Sequence, residues 1–248
     1  MVHGAGVLYS KSRDRSEAMR VLLKVLPLGT ALICLGAIFL TIGCGSSSAR
    51  FRYVQASPGA PGGVDLQVDG KNVLTDIGYG LPGSYQKVTS GSRSIGIFQT
   101  GTTTNPYFSG SVSLGSGDTT LISENVFSSI SLAPYTDDNT APTSGNVKLR
   151  FINAGPSVGS VDVYVVTSGT GIGGLSPQLN LTYPNASGYI SITAGNYDIV
   201  ITQGGTQNVI SGLNVSYTFT AGQIRTIVII DSSQGGAPYN QLVLDDLN

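Results

Sequence analysis

One segment of this chain is written twice, and that repeat constrains the fold more than any other feature. Phe51-Arg52-Tyr53-Val54-Gln55-Ala56-Ser57-Pro58, followed by Val64-Asp65-Leu66-Gln67-Val68, recurs as Leu149-Arg150-Phe151-Ile152-Asn153-Ala154-Gly155-Pro156, followed by Val161-Asp162-Val163-Tyr164-Val165. Self-similarity over such a length means two copies of one small structural unit. Val64, Leu66 and Val68 alternate with Asp65, Gln67 and Asp69, the period-two pattern of a half-buried strand, and Val161, Val163 and Val165 do the same. Tyr85-Gln86-Lys87-Val88 corresponds to Tyr189-Ile190-Ser191-Ile192, each leading through a Gly-containing turn into another strand, Ile95–Phe98 or Tyr197–Ile201. Gly117–Ile122 then matches Gly222–Val228, and the copies close on Ser129–Leu132 and Gln241–Leu244. About seven or eight short strands per copy predict a β-sandwich.

The chain is therefore expected to be all-β, with two tandem immunoglobulin-like antiparallel β-sandwich domains after an N-terminal signal or membrane helix. The expected boundaries are 1–43 for the signal or anchor helix, 44–50 for a tether, 51–133 for the first repeat, 134–146 for a linker and 147–248 for the second repeat. The copies are offset by 97 residues at Asp65/Asp162 and by 104 at Tyr85/Tyr189, so the second has gained 7 residues in the Thr167–Asn180 loop. A second gain lies near Asp231–Pro238. Loops that differ between otherwise equal repeats are often where binding diverges, though neutral loop drift is the plainer reading of these two.

Composition agrees with an exported β-protein. Only 11% of residues are charged, against about 25% in an average soluble domain. The formal net charge is -1 and no basic stripe exists, which argues against a nucleic-acid partner. Val25–Gly43 is a nearly continuous apolar run preceded by Lys11, Arg13, Arg15, Arg20 and Lys24. Positive flank, apolar stretch and small residues at its end make a secretory signal. Its end, Leu40-Thr41-Ile42-Gly43-Cys44, looks like a bacterial lipoprotein signal, with Cys44 as the lipid attachment residue and a Gly-Ser tether behind it. The alternative is an uncleaved anchor helix over 21–43, long enough to span a bilayer. Met19 offers a second start for a signal of normal length. Either reading places the remainder outside the cytoplasm as a membrane-anchored cell-envelope protein of a bacterium. Gly45 after Cys44, rather than Asp, resembles the outer-membrane pattern and makes the outer membrane or cell surface the expected site under the lipoprotein reading.

The exported part lacks the residue types most chemistry needs. The only His is His3, and the only cysteines are Cys34 and Cys44. No Ser-His-Asp triad, disulfide or His/Cys zinc site can be built beyond Cys44. No metal and no cofactor is expected. Glu124 is the only Glu in that part, so a glycosidase pair would be two aspartates or Glu124 with one Asp, and nothing marks such a pair. Gly155-Pro156-Ser157-Val158-Gly159 matches the pattern of a nucleophile elbow but lies between strands, without a following helix or a His. Gly169-Thr170-Gly171-Ile172-Gly173-Gly174 matches a dinucleotide fingerprint, but Leu175-Ser176-Pro177 opens no helix behind it. Asp137-Asp138-Asn139 offers oxygen ligands of the kind Ca²⁺ takes; we read it as linker. Asp65 and Asp162, one per copy, are read as acceptors for loop backbone N–H groups rather than as acids.

The [VI]-[QN]-A-x-P loop, the V-D-[LV]-x-V strand and the Y-x-x-[VI]-x-x-G hairpin resemble a bacterial family catalogued as a domain of unknown function, DUF 4397, whose members often occur in tandem in exported lipoproteins. The resemblance covers residues 51–248. Family members commonly read His-Ala-Ser-Pro-Asp-Ala-Pro in the first loop; here Gln55 and Asn153 replace the His, and Gly59 and Ser157 the Asp. The resemblance implies fold and location and supplies no activity. The expected function is that of a non-enzymatic, lipid-anchored envelope protein presenting two sandwiches for binding or surface structure, with an envelope protein or glycan as partner. The alternative is an envelope hydrolase working through Asp or Ser.

Overall fold

The computed structural model describes residues 47–246. The signal or anchor segment and residues 44–46 of the expected tether, Cys44 included, lie outside them, while residues 48–50, read as tether, are the start of the first strand, where they pair with its neighbours. The first repeat contributes β1 (Ser48–Gln55), β2 (Val64–Val68), β3 (Lys71–Ile77), β4 (Gln86–Thr89), β5 (Gly91–Gln99), β6 (Phe108–Leu114), β7 (Asp118–Glu124) and β8 (Ser131–Asp137). The second contributes β9 (Asn146–Asn153), β10 (Val161–Thr167), β11 (Leu179–Leu181), β12 (Asn185–Ala186), β13 (Ile190–Thr193), β14 (Gly195–Gln203), β15 (Val209–Phe219), β16 (Ile224–Ile230) and β17 (Asn240–Asp245). A single 3₁₀ turn, Phe127–Ser129, is the only helical element among the described residues, and no helix there is long and apolar enough to cross a membrane.

Each repeat folds into two sheets in the same strand order. The outer sheets run β3-β2-β5-β6 and β11-β10-β14-β15; the inner sheets run β4-β1-β7-β8 and β12-β9-β16-β17, with β13 also paired to β9. The all-β sandwich architecture is thus as expected, with one departure from purely antiparallel pairing. β1 runs parallel to β7, and β9 parallel to β16. The long excursion through the outer sheet between these strands allows the chain to return in the same direction.

The connection between repeats is shorter than expected. Residues 134–137, read as linker, are the end of β8, and the loop proper is 138–145. Pro134 misled because it cannot donate to a ladder, but β8 is an edge strand and pairs through its other side with β7.

The inner strands explain why the repeated motif does not alternate. Phe51 and Tyr53 point into the first sandwich's core with Leu66, Ile95, Ile97 and Leu121. Arg52, Val54 and Ala56 point the other way. Phe151 joins Val161, Val163, Ile199 and Ile227 in the second core. Between the sandwiches lies a third apolar cluster, in which Val54, Ala56 and Ile122 meet Ile152, Ala154, Val228, Ile230 and Leu244. β1 and β9 are therefore buried on both faces, and a strand in that position reads as continuous rather than alternating. Both sandwiches belong to one compact unit.

Polar contacts across this face are reciprocal. Arg52 of the first repeat donates Nε to Thr120 Oγ1 at 2.9 Å, Nη1 to the Asp245 carbonyl at 2.7 Å, and Nη2 to the Asp246 carboxylate. Arg150 of the second donates Nε to Thr226 Oγ1 at 3.0 Å, Nη1 to the Thr136 carbonyl at 2.8 Å and Nη2 to Asp137 Oδ1 at 2.5 Å. Tyr85 and Tyr189 lie over Arg52 and Arg150, 5.0 and 4.8 Å from guanidinium carbon to ring centre. Their hydroxyls donate to the same two carboxylates, Asp137 at 2.6 Å and Asp246 at 2.9 Å. Both arginines and both carboxylates are buried.

Candidate functional site

The two repeated aspartates carry the same structural task. Asp65 accepts the backbone N–H of Asp76 and of Gly101, both at 2.9 Å. Asp162 accepts the Gly205 N–H at 2.8 Å and the Asn180 side-chain amide at 2.5 Å. Each carboxylate ties the strand that carries it to the turn after the neighbouring strand, as the sequence led us to expect.

The tempting motifs do not assemble chemistry. Ser157 lies in the loop between β9 and β10 and donates its backbone N–H to Asp231 Oδ1 at 3.3 Å; Asp231 Oδ2 accepts from the Gly236 N–H at 2.9 Å. The Gly169–Gly174 segment runs through a turn, Leu175 N–H to Ile172 carbonyl at 3.0 Å, into β11 rather than into a helix. Asp137, Asp138 and Asn139 diverge. Asp137 faces Arg150, Asp138 bonds Lys148 at 2.7 Å, and Asn139 donates to Asp118 at 2.6 Å. Lys148 and Thr140 hold the Asp138 carboxyl down at about 2. Among the described residues no group of three metal-ligating side chains converges.

The two loops that the second repeat gained have separate uses. The Asp231–Pro238 loop reaches the first repeat, where the Gly59 N–H donates to the Ser233 carbonyl at 2.8 Å. The Thr167–Asn180 loop folds back over the outer sheet of its own sandwich. Ile172 packs on Tyr164, Val166 and Val200, an apolar cluster on that face. The Gln207 amide donates to the carbonyls of Ile172 and Leu175, both at 3.1 Å, and the Gln178 N–H donates to the Val163 carbonyl at 2.8 Å. The loop is therefore anchored at several points.

Beside it lies an open groove of about 400 Å³, lined by Asp162, Tyr164, Pro177, Asn180, Gly205, Thr206 and Gln207. Tyr164 and Asp162 form its buried floor, while Asn180, Thr206 and Gln207 are exposed. The only charged lining residue is Asp162, and both its oxygens are already engaged. Gln207 commits its amide nitrogen to loop carbonyls and Asn180 donates from its own to Asp162, which fixes the two amides. No donor among the described residues reaches either amide oxygen, so both remain available as acceptors on residues that line the groove. The first sandwich has no such wall. Strand register puts Gln67 opposite Gly96 where the second has Tyr164 opposite Val200, and Phe98 lies across Gly96 instead. A Cβ on Gly96 would come within 2.5 Å of the Phe98 ring. Sequence comparison of the repeats located the loop; only the fold showed that it makes a groove.

No curated protein matches the sequence. Among solved structures the chain is similar to one titled "The Bacillus anthracis TIE protein", at 11% identity and TM-score 0.23 over 79% of this chain and 34% of that one. It is also similar to "Alpha-glucan binding by a streptococcal virulence factor", at 14% identity and TM-score 0.25 over 75% of this chain and 95% of that one. A third is the pneumococcal virulence factor SpuA in a product complex, at 13% identity and TM-score 0.26 over 75% of this chain and 21% of that one. The chain spans about a third of the length of the first. Residues 49–164, from β1 into β10, match the family model "Domain of unknown function (DUF4397)", which supports the family resemblance read from the repeated motifs.

Proposed function

We propose that this is a non-catalytic, lipid-anchored protein of the bacterial cell envelope, whose double sandwich presents the groove of the second repeat to a neutral, hydroxyl-rich ligand, an envelope glycan. One observation carries the non-catalytic part. Every buried carboxylate among the described residues is engaged by the scaffold. Asp65, Asp162 and Asp231 hold backbone N–H groups. Asp118, Asp137 and Asp246 face arginines, and Glu124 accepts the Tyr135 hydroxyl. A general acid needs a carboxyl free to reach a substrate. A ligand with hydroxyl donors suits fixed amide oxygens and a groove without an uncompensated charge.

The test uses residues 46–248 with neutral oligosaccharides and with peptidoglycan, in a retention assay beside a turnover assay. Retention that falls at least tenfold in Gln207→Ala and Asn180→Ala, without turnover, is expected. Turnover abolished by one Asp or Ser substitution overturns the non-catalytic reading; equal retention by both variants and the wild type overturns the groove. Anchoring is tested separately: labelled fatty acid should enter the wild type and not Cys44→Ser.

A further inference from the structure

We propose that the face between the sandwiches is a homotypic docking surface in its own right, one that holds the two halves together without the peptide connection and whose natural partner is another copy of the repeat. The argument is the equivalence of what each half offers. A C₂ dimer interface uses the same patch on both subunits, so that residue i meets j and j meets i. Arg52 and Asp137 lie on the first repeat at the places Arg150 and Asp246 occupy on the second. Each arginine keeps its Nε on a threonine of its own repeat and sends Nη1 and Nη2 to a carbonyl and a carboxylate of the other.

The exchange extends beyond the arginines. The Tyr79 hydroxyl of the first repeat donates to the Asp231 carbonyl of the second at 2.9 Å. Tyr183, its counterpart, sits against the backbone of Asn125 in the first. Val54 and Ala56 meet Ile152 and Ala154 at the centre. Such a pattern is what two separate chains form when a domain dimerises, here written into one chain.

The connection 138–145 contributes little to this face. Its own contacts, Asn139 to Asp118 and Lys148 Nζ to the carbonyls of Asp138 and Thr140 at 2.9 and 3.0 Å, lie beside the sandwiches' shared cluster rather than in it. A tether raises the effective concentration of two modules to the millimolar range, so cutting it dissociates a weak pair and leaves a strong one intact. Buried, hydrogen-bonded, charge-assisted contacts around an apolar centre are the composition of a strong one.

The experiment inserts a site-specific protease sequence between Ala141 and Pro142, both in the loop, and nicks the folded protein in native buffer. At about 1 µM, well below a tether's millimolar effective concentration, the halves of the wild type should co-elute as one complex on gel filtration. The double variant Arg52→Gln/Arg150→Gln should elute as one folded chain before nicking, checked by circular dichroism, and as two separate halves after it. Wild-type halves that separate on nicking overturn the proposal. Variant halves that stay paired as tightly as the wild type also overturn it, because the exchanged arginines are its foundation.

Discussion

Arg52→Met is the most informative single change in this protein. The arginine is 3% exposed and its carboxylate partner, Asp246, is 0% exposed. Removing the guanidinium leaves Asp246 buried with two hydroxyl donors, Thr226 at 2.6 Å and Tyr189 at 2.9 Å, and no cation. It also removes the hydrogen bond that Arg52 Nη1 gives the Asp245 carbonyl. Breaking a buried pair from one side costs about 3–5 kcal/mol, because an uncompensated charge remains. For a domain of this size that lowers the melting temperature by about 6–20 °C. Replacing both partners, Arg52→Met with Asp246→Leu, removes the stranded charge and should recover most of the loss. Urea unfolding followed by far-ultraviolet circular dichroism suits the measurement, since the chain has no Trp. The interaction energy from the double-mutant cycle should be several-fold larger than the roughly 0–1 kcal/mol of an exposed pair. A single variant that loses less than about 1 kcal/mol, the scale of such an exposed pair, would refute the reasoning. Arg150→Met should behave alike, through Asp137.

Three further outcomes are expected. Asp65→Ala leaves the N–H groups of Asp76 and Gly101 without their acceptor and should cost about 2–4 kcal/mol; an unchanged melting temperature would remove the carboxylate's structural role. Tyr53→Phe should be neutral or stabilise by up to about 1 kcal/mol, because its fully buried hydroxyl makes no well-formed hydrogen bond, only a loose approach to Ser123, and the second repeat already has Phe151 there; a clear destabilisation in thermal unfolding would contradict this. Burial raises the Glu124 carboxyl, so its folded-state pKa lies above the unfolded one. The stability this group contributes is then present below the unfolded pKa and lost as pH rises through the folded one. Glu124→Gln should therefore gain stability at pH 7 relative to the wild type and lose that advantage near pH 4. A gain independent of pH would show that titration is not its source.

The strand order and the candidate groove were legible in the sequence to different depths. Period-two runs such as Val64–Val68 and the hairpins after Val88 and Ile192 announced themselves, because their apolar positions alternate toward the core, although the polar side of Val64–Val68 turned out covered too, with Asp65 buried. Pro134 concealed the end of β8, since an edge strand tolerates a residue that a central one cannot. The Thr167–Asn180 loop stood out as an insertion, but nothing in Ile172 or Gln207 announced that one would seat on Tyr164 and the other would pin the loop's carbonyls.

The sequence alone determined that the chain repeats, that each repeat is a set of short strands, and that no His or Cys chemistry follows Cys44. These properties are local, carried by residue types and spacings of a few positions. Tertiary structure alone decided what covers the second face of the repeated strand. Arg52 and Asp246 are 194 residues apart, and local patterning cannot tell a partner in the same repeat from one in the other. The duplication by itself said only that there are two copies of one structural unit. The reciprocal arginines make them one, because each repeat buries a charge that only the other neutralises.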